Sequence, residues 1–443
     1  MTGPGAWPAW YGEVTGVLAR LARRPGGKRP AVIDGTTTLT FTELYAAARH
    51  TAPRMATMNG IAPIEAQSSA GIVVHATAAW LAGCAPLPLP PQVPRSLAAR
   101  LTADAARRPR GCRPWKVVAS AATGRADRAL VTHGEPPSSS RKALALGMRP
   151  GGSALIASPL YLNGPLEFTL RQLLLGGTVI LAPRFTAPVW AAFARAHRPR
   201  WAFLVPTQIR RLLAALPPAV LTEAITGLDL LLHSSEPCPP ALRRCLCGLL
   251  GGERVGEYYG AAEYDGTFRY ASDPLPGAAP IPGTELRVVD HNRRPAAAGA
   301  TGVIEGRSTA GIISHPAGQD CPCPTAGSWR TVGDRGSLTM RGRLTVTSVA
   351  VPGRAIVGGI NVAIGQVSSV LLTHPAIAGC RVKAVPDPDY GQVVAAEITA
   401  ADPDLTASQL HAYCATRLPK AARPRHVRLT YADPRSTDAP ARM

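Results

Sequence analysis

The sequence predicts an α/β fold: a large N-terminal domain of α/β sheets flanked by helices and carrying a β-rich subdomain, then a small C-terminal α+β domain. Three observations predict it. Short apolar segments alternate with helical patterns through the first half of the chain, residues 285–347 are dense in strand patterns with glycine turns, and the tail from about Ala350 reads as a unit of its own. The domains are therefore expected at 1–349 and 350–443.

In chain order, Ala31 to Thr40 reads as a hairpin turning at Asp34-Gly35. Thr42, ahead of Glu43 and Leu44, is expected to cap a helix. Gly71 to Gly83 is apolar and helical, and Cys84 to Leu89 is a strand running into prolines. Trp115 to Val118 is a strand that feeds ASAATGRADRALVTHG, Ala119 to Gly134. A strand entering a Ser/Thr/Gly-rich turn can bring backbone N–H groups and hydroxyls close enough to cradle phosphates. Asp127 stands where such a cradle wants a cation, and taken alone the stretch is equally a polar loop.

Further on, Ala154 to Ser158, Thr178 to Ala182 and Trp201 to Val205 are strand candidates, with helices expected at Leu166 to Leu175 and Gln208 to Leu216. Glu285 to Asp290, Gly302 to Glu305 and Gly336 to Thr347 supply the β-rich part. In the tail, Ala355 to Val357 is a strand, Gly358-Gly359 a turn and Ile364 to Leu372 a helix. Val382 to Val385 and Val393 to Ile398 are strands, and Thr406 caps a helix over Ala407 to Arg417.

Composition narrows the function classes. The 443 residues are 46% hydrophobic and 17% charged, enough for a large core. The net charge of +20 invites a nucleic-acid or membrane reading. Yet only five of the 48 basic residues are lysines, and the arginines are scattered without like-charge blocks or interleaved aromatics. Neither a nucleic-acid partner nor a membrane span is expected. The nine cysteines are odd in number and widely spread, and the two C-x-C pairs lack zinc spacing. They are expected as free thiols in a cytoplasmic protein with no secretory leader.

A dozen short strings appear in a collinear order. They are LTFTEL at Leu39, the Ala82 to Pro91 segment, the loop after Val118, SPLYLNGP at Ser158, VPTQIRRLL at Val205 and HSSEPCPP at His233. EYYGAAE at Glu257, PIPGTELRVVD at Pro280, SWRTVGD at Ser328, GGINV at Gly358, HPAIAG at His374 and VPDPDYGQVVAA at Val385 follow. In this order the chain resembles the adenylate-forming superfamily of acyl-CoA and aryl-CoA synthetases, nonribosomal adenylation domains and luciferases, over nearly its whole length. GGINV and VPDPDYG are most like the acyl-CoA synthetase branch.

The resemblance implies an AMP-forming ligase that activates a small carboxylic acid with MgATP and passes the acyl group to CoA or a carrier protein. It implies ATP or AMP and Mg²⁺ as cofactors, with CoA as a further one. By the same resemblance, Ser120, Thr123 and Gly124 grip the β- and γ-phosphates. Tyr259 packs on adenine, Gly260 allows close approach, and Glu263 ligates Mg²⁺ as a hard oxygen donor. Asp334 accepts from the ribose hydroxyls, and Ser235 and Glu236 border the adenine. Tyr161, Leu162, Asn163 and Phe168 line the acid pocket, with Trp201 to Thr207 nearby, and Gly358 and Gly359 lie on the acceptor side. Read without the resemblance, the tyrosines are a buried pair and the apolar stripe is plain core.

The chain also departs from the pattern. Ala121, Ala122 and Asp127 replace phosphate-loop residues, Glu236 intrudes on a small-residue platform, and Leu162 stands where a histidine is common. Counted without gaps the hinge positions fall on Ala350 and Pro352, or else Gly353-Arg354 is the family's Gly-Arg pair with hinge residues deleted after it. The C-terminal lysine position falls on Pro440, with Arg442 or Arg354 the possible stand-in cation. The N-terminal domain is trimmed between 91 and 119. Beside a working ligase, the sequence therefore allows an impaired homologue that binds nucleotide, acyl-adenylate or a partner protein without full adenylation.

Overall fold

The structure, a computed structural model, describes residues 9–431 apart from 24, 59, 68, 92, 94, 107–114, 121–127, 133–139, 309–311, 315–327 and 349–352. Thr123, Gly124, Asp127, Ala350, Pro352, Pro440 and Arg442 lie outside the described residues. The described chain falls into two compact units, one reaching Ser348 and one beginning at Gly353.

The first unit is built on a nine-stranded sheet. Six central strands run parallel in the order Val255–Ala261, Leu230–His233, Trp201–Leu204, Ser153–Ile156, Thr178–Leu181 and Pro30–Ile33. Antiparallel strands close both edges, Thr38–Thr40 on one side and Asp265–Tyr270 with Ala279–Pro280 on the other. Side chains along each strand alternate between two apolar layers. Leu230 and Leu232 enter one with Phe203 and Ile156, while Leu231 enters the other with Ala202 and Leu155. Burial on both faces explains why these strands read as short unbroken apolar runs. The α/β fold class and the β-rich part are as expected, the latter a four-stranded antiparallel sheet of Thr284–Val289, Gly302–Ser308, Arg335–Leu338 and Leu344–Ser348.

Two local expectations need correction. The Phe41–Thr51 helix is capped by Thr40, not Thr42: Thr40 Oγ1 accepts from the Glu43 N–H while Glu43 Oε2 accepts from the Thr40 N–H, a reciprocal capping box. Thr42 instead donates its hydroxyl to the carbonyls of Ala22 and Gly27, tying this helix to the preceding segment. The strand before the small-residue loop extends two residues further than the sequence suggests, as Lys116–Ser120, with Ser120 paired to Arg128. In the trimmed region the helix Arg95–Ala106 follows the strand Ala85–Leu89.

The second unit has a five-stranded sheet in which Gly391–Ala400 is central, beside Ile377–Asp387, Arg354–Val357 and the parallel strand His426–Tyr431. Ile364–Leu371 and Ala407–Arg417 cover its apolar face through Val367, Leu371, Leu410 and Cys414. Gly358 and Gly359, both left-handed at φ 58° and 78°, turn Arg354–Val357 into Ile360–Ala363, a two-residue turn that favours glycine.

Candidate active site

Of the residues expected at the nucleotide, Ser235, Glu236, Tyr259 and Gly260 lie at the carboxyl ends of two central parallel strands, the usual ligand position of an open α/β sheet. The pairing of His233 with Glu257 sets Leu230–His233 beside Val255–Ala261, so that Ser234-Ser235-Glu236 leaves the sheet next to Tyr258-Tyr259-Gly260. Val255–Ala261 then turns into Asp265–Tyr270 through a three-residue loop, Ala262-Glu263-Tyr264, closed by the left-handed Asp265 at φ 64°. Glu263 sits in that loop and is buried, 4% exposed.

Tyr259 and Asp334 are joined directly. The Tyr259 hydroxyl donates to Asp334 Oδ2 at 2.8 Å, and the Tyr259 and Tyr264 hydroxyls lie 2.9 Å apart. Burial, followed by the neighbouring Tyr264 and Asp334, raises the Tyr259 pKa, so the phenol stays protonated as a donor. Asp334 is 75 residues away in sequence; the Ile304 N–H donating to its carbonyl brings it there. A β-carbon on Gly260 would stand 2.6 Å from Tyr258 Cζ and 3.0 Å from the Asp265 carbonyl, so this position has no room for a side chain.

Ser235 is exposed at φ 72°, in the left-handed region. Glu236 is half-buried, and its Oε2 accepts from Thr207 Oγ1 at 2.8 Å while Arg210 donates to the same threonine. Burial raises the Glu236 pKa against these partners. His233, 1% exposed, has both ring nitrogens without a hydrogen-bond partner, and burial pulls its pKa down to about 4.

On the acid side, Leu162 precedes the Asn163–Leu174 helix, and Tyr161, Leu162 and Asn163 are half-buried. Burial raises the Tyr161 pKa. Phe168 is core, packed on Trp201 and Phe203 at 5.3 and 5.1 Å between ring centroids and on Tyr258 at 6.3 Å. Tyr161 and Ala262 pack on the same apolar layer. The structure thus brings Tyr161 and Phe168 together with the strand that carries Tyr259. Gly358 and Gly359 belong to the second unit, where the Gly358 N–H donates to the Tyr390 carbonyl.

Sequence reasoning missed a buried charged network behind these residues. Lys116 donates to Glu167 Oε2 at 2.7 Å and to Asn163 Oδ1, while Lys142 and Arg171 reach Glu167 Oε1 at 2.5 and 2.9 Å. Lys142 also pairs with Asp265, whose other oxygen accepts from Ser308 at 2.8 Å. Burial pulls the Lys116 ammonium down to about 8 against the pull of Glu167. Burial pushes Glu167 up, but the cations overcome it and hold the carboxyl well below its usual range. The available signal was a lysine in the apolar strand WKVVA of a chain with five lysines. Among the described residues no group of three or more His, Cys, Asp or Glu side chains could hold a metal ion.

Two family models match the chain: AMP-binding enzyme over residues 119–311, and the AMP-binding enzyme C-terminal domain over residues 366–438. The chain belongs to the AMP-binding enzyme family. Sulfoacetate–CoA ligase of Cupriavidus necator is 30% identical over 308 residues, 65% of this chain and 57% of that one. The 2-succinylbenzoate–CoA ligase of Bacillus pumilus is 27% identical over 63% of this chain and 57% of its own length. The chain thus spans little more than half of these two relatives. Among solved structures, a malonyl-CoA ligase ternary product complex with methylmalonyl-CoA and AMP bound superposes with a TM-score of 0.79 at 25% identity, covering 95% of this chain and 99% of that one. The amide bond synthetase McbA of Marinactinospora thermotolerans, at 21% identity and TM-score 0.79 over 96% and 97% of the two chains, shares the fold. As an AMP-binding family member, the chain has an adenylate-forming architecture, and none of its described helices is long and apolar enough to cross a membrane.

Proposed function

We propose that the protein is an AMP-forming acid ligase. A carboxylate oxygen attacks the α-phosphorus of ATP, the bond to pyrophosphate breaks, and the acyl-adenylate passes its acyl group to CoA or a carrier protein. The observation that carries this reading is the joining of Tyr259, Tyr264 and Asp334 beside the buried Glu263, at the carboxyl ends of the parallel strands. In it Tyr259 packs on adenine, Gly260 leaves room for the Tyr258 ring beside it, Asp334 takes the ribose hydroxyls, and Ser235 and Glu236 border the base.

Mg²⁺ is typically bound through one or two carboxylates plus substrate phosphates, so a single buried hard-oxygen donor such as Glu263 fits it. When bound, it would neutralise charge on the phosphates. Glu263 would hold the metal, and Ser120, Thr123 and Gly124 the β- and γ-phosphates. Tyr161, Leu162 and Asn163 would bound the acid, with Phe168 packed behind them in the core rather than at the pocket surface. Gly358 and Gly359 would bound the acceptor side, and Arg442 would supply the cation at the carboxylate. CoA-dependent release of AMP tests the reading, with sulfoacetate, 2-succinylbenzoate, malonate and simple fatty and aryl acids as substrates. Release is expected with at least one acid and to fall at least tenfold in Glu263→Gln. Equal release by the variant would remove Glu263 from the site.

A further inference from the structure

The buried chain of charges reaches the loop that carries Glu263, and no step assigned above uses it. From one end it runs Ser308, Asp265, Lys142, Glu167, Lys116 and Asn163. Asp265 closes the Ala262-Glu263-Tyr264 loop and is itself left-handed, a conformation that Asp tolerates better than most residues. Its side chain is 13% exposed and that of Lys142 is 3% exposed, so their ion pair is shielded from solvent. Glu167 lies on the same helix as Asn163, at the proposed lip of the acid pocket, and Lys116 lies on the strand that leads into the phosphate loop.

We infer that Lys142 and Asp265 are positioning residues: their buried ion pair fixes the loop so that the Glu263 carboxylate faces the metal-bound polyphosphate. The inference rests on the reading of Glu263 as the magnesium-facing carboxylate. Separating a buried ion pair leaves an uncompensated charge out of water, so the pair resists displacement of the loop it holds. The loop has only three residues, so a shift of Asp265 moves Glu263 with it. The same loop carries Tyr264, which meets the Tyr259 hydroxyl. Displacement should therefore disturb the metal-dependent part of nucleotide binding more than the adenosine part.

The test is calorimetric binding of ATP with magnesium and with EDTA, beside binding of AMP. The double variant Lys142→Met with Asp265→Asn removes both charges together and leaves Glu167 paired with Lys116 and Arg171. Asn also accepts the left-handed backbone. Relative to Asp265→Asn alone, the double variant should regain thermal stability, bind AMP within about twofold of wild type, and lose at least tenfold of the magnesium-dependent gain in ATP affinity. Ser308→Ala removes the hydroxyl that donates to Asp265 and should lose about threefold of that gain; if the double variant fails to fold, this variant decides. A folded double variant with the wild-type magnesium gain, or Ser308→Ala unchanged where it decides, would overturn the inference. Wild-type protein whose ATP binding ignores magnesium would overturn the Glu263 reading, and this inference with it.

Discussion

At the scale of single residues, the largest energies sit on Glu167. Its carboxylate takes Lys116, Lys142 and Arg171 in a site where the residue is 7% exposed. Removing one member of a buried ion cluster leaves charge unpaired, which costs about 3–5 kcal/mol. Glu167→Gln should lower stability by that amount in urea denaturation, and a loss below about 1 kcal/mol would show that the cluster is solvated. His233 gives a pH signature. Its folded pKa of about 4 lies below the ordinary value near 6.5, so the unfolded chain binds more protons between the two. Its contribution is complete above pH 6.5 and is lost as pH falls toward 4, by about 3 kcal/mol at roughly 1.4 kcal/mol per unit. His233→Phe should flatten that part of the acid limb, and an unchanged limb would place the proton elsewhere. Glu263, Tyr259 and Asp334 were legible because each sits inside a string with a recognisable order. The Glu167 network was not, because its members are scattered from 116 to 308 and share no spacing.

At the scale of elements, the site depends on close backbone approaches. A β-carbon on Gly306 would lie 2.5 Å from Tyr264 Cγ, and Tyr264 is fully buried. Gly306→Ala should displace Tyr264 from the Tyr259 hydroxyl and weaken AMP binding by about tenfold, about 1.4 kcal/mol, read by calorimetry. Retained AMP affinity would separate Tyr264 from the nucleotide site. Thr40→Ala should cost about 1 kcal/mol as the lost cap of the Phe41–Thr51 helix. Thr42→Ala removes instead the hydroxyl bonds to Ala22 and Gly27. Most strands and helices were legible from apolar runs and glycine turns. The cap was misread by two residues because TFTE offers two threonines, and only the reciprocal bonds with Glu43 distinguish them. The sheet order was not legible, since the pairing of Ser153–Ile156 with both Thr178–Leu181 and Trp201–Leu204 is a long-range choice.

At the scale of the molecule, the resemblance sets departures at Asp127, Glu236, Leu162, Ala350 and Pro440 beside matches at Tyr259, Glu263 and Asp334. In the proposed reaction, with Pro440 at the position that the resemblance gives to a lysine, a cation there would stabilise charge developing in the transfer, an effect worth about a hundredfold where one donor is concerned. Pro440→Lys should therefore raise the adenylation rate by at least tenfold, and an unchanged rate would show that another cation, Arg442 first, already serves. The central claim is that this AMP-binding family member activates a carboxylic acid. Acid-dependent exchange of labelled pyrophosphate into ATP tests it most directly. The account predicts exchange with at least one acid of a broad panel, abolished by EDTA and lowered at least tenfold in Glu263→Gln. No exchange with any acid, from protein that binds AMP in the calorimeter, would contradict it.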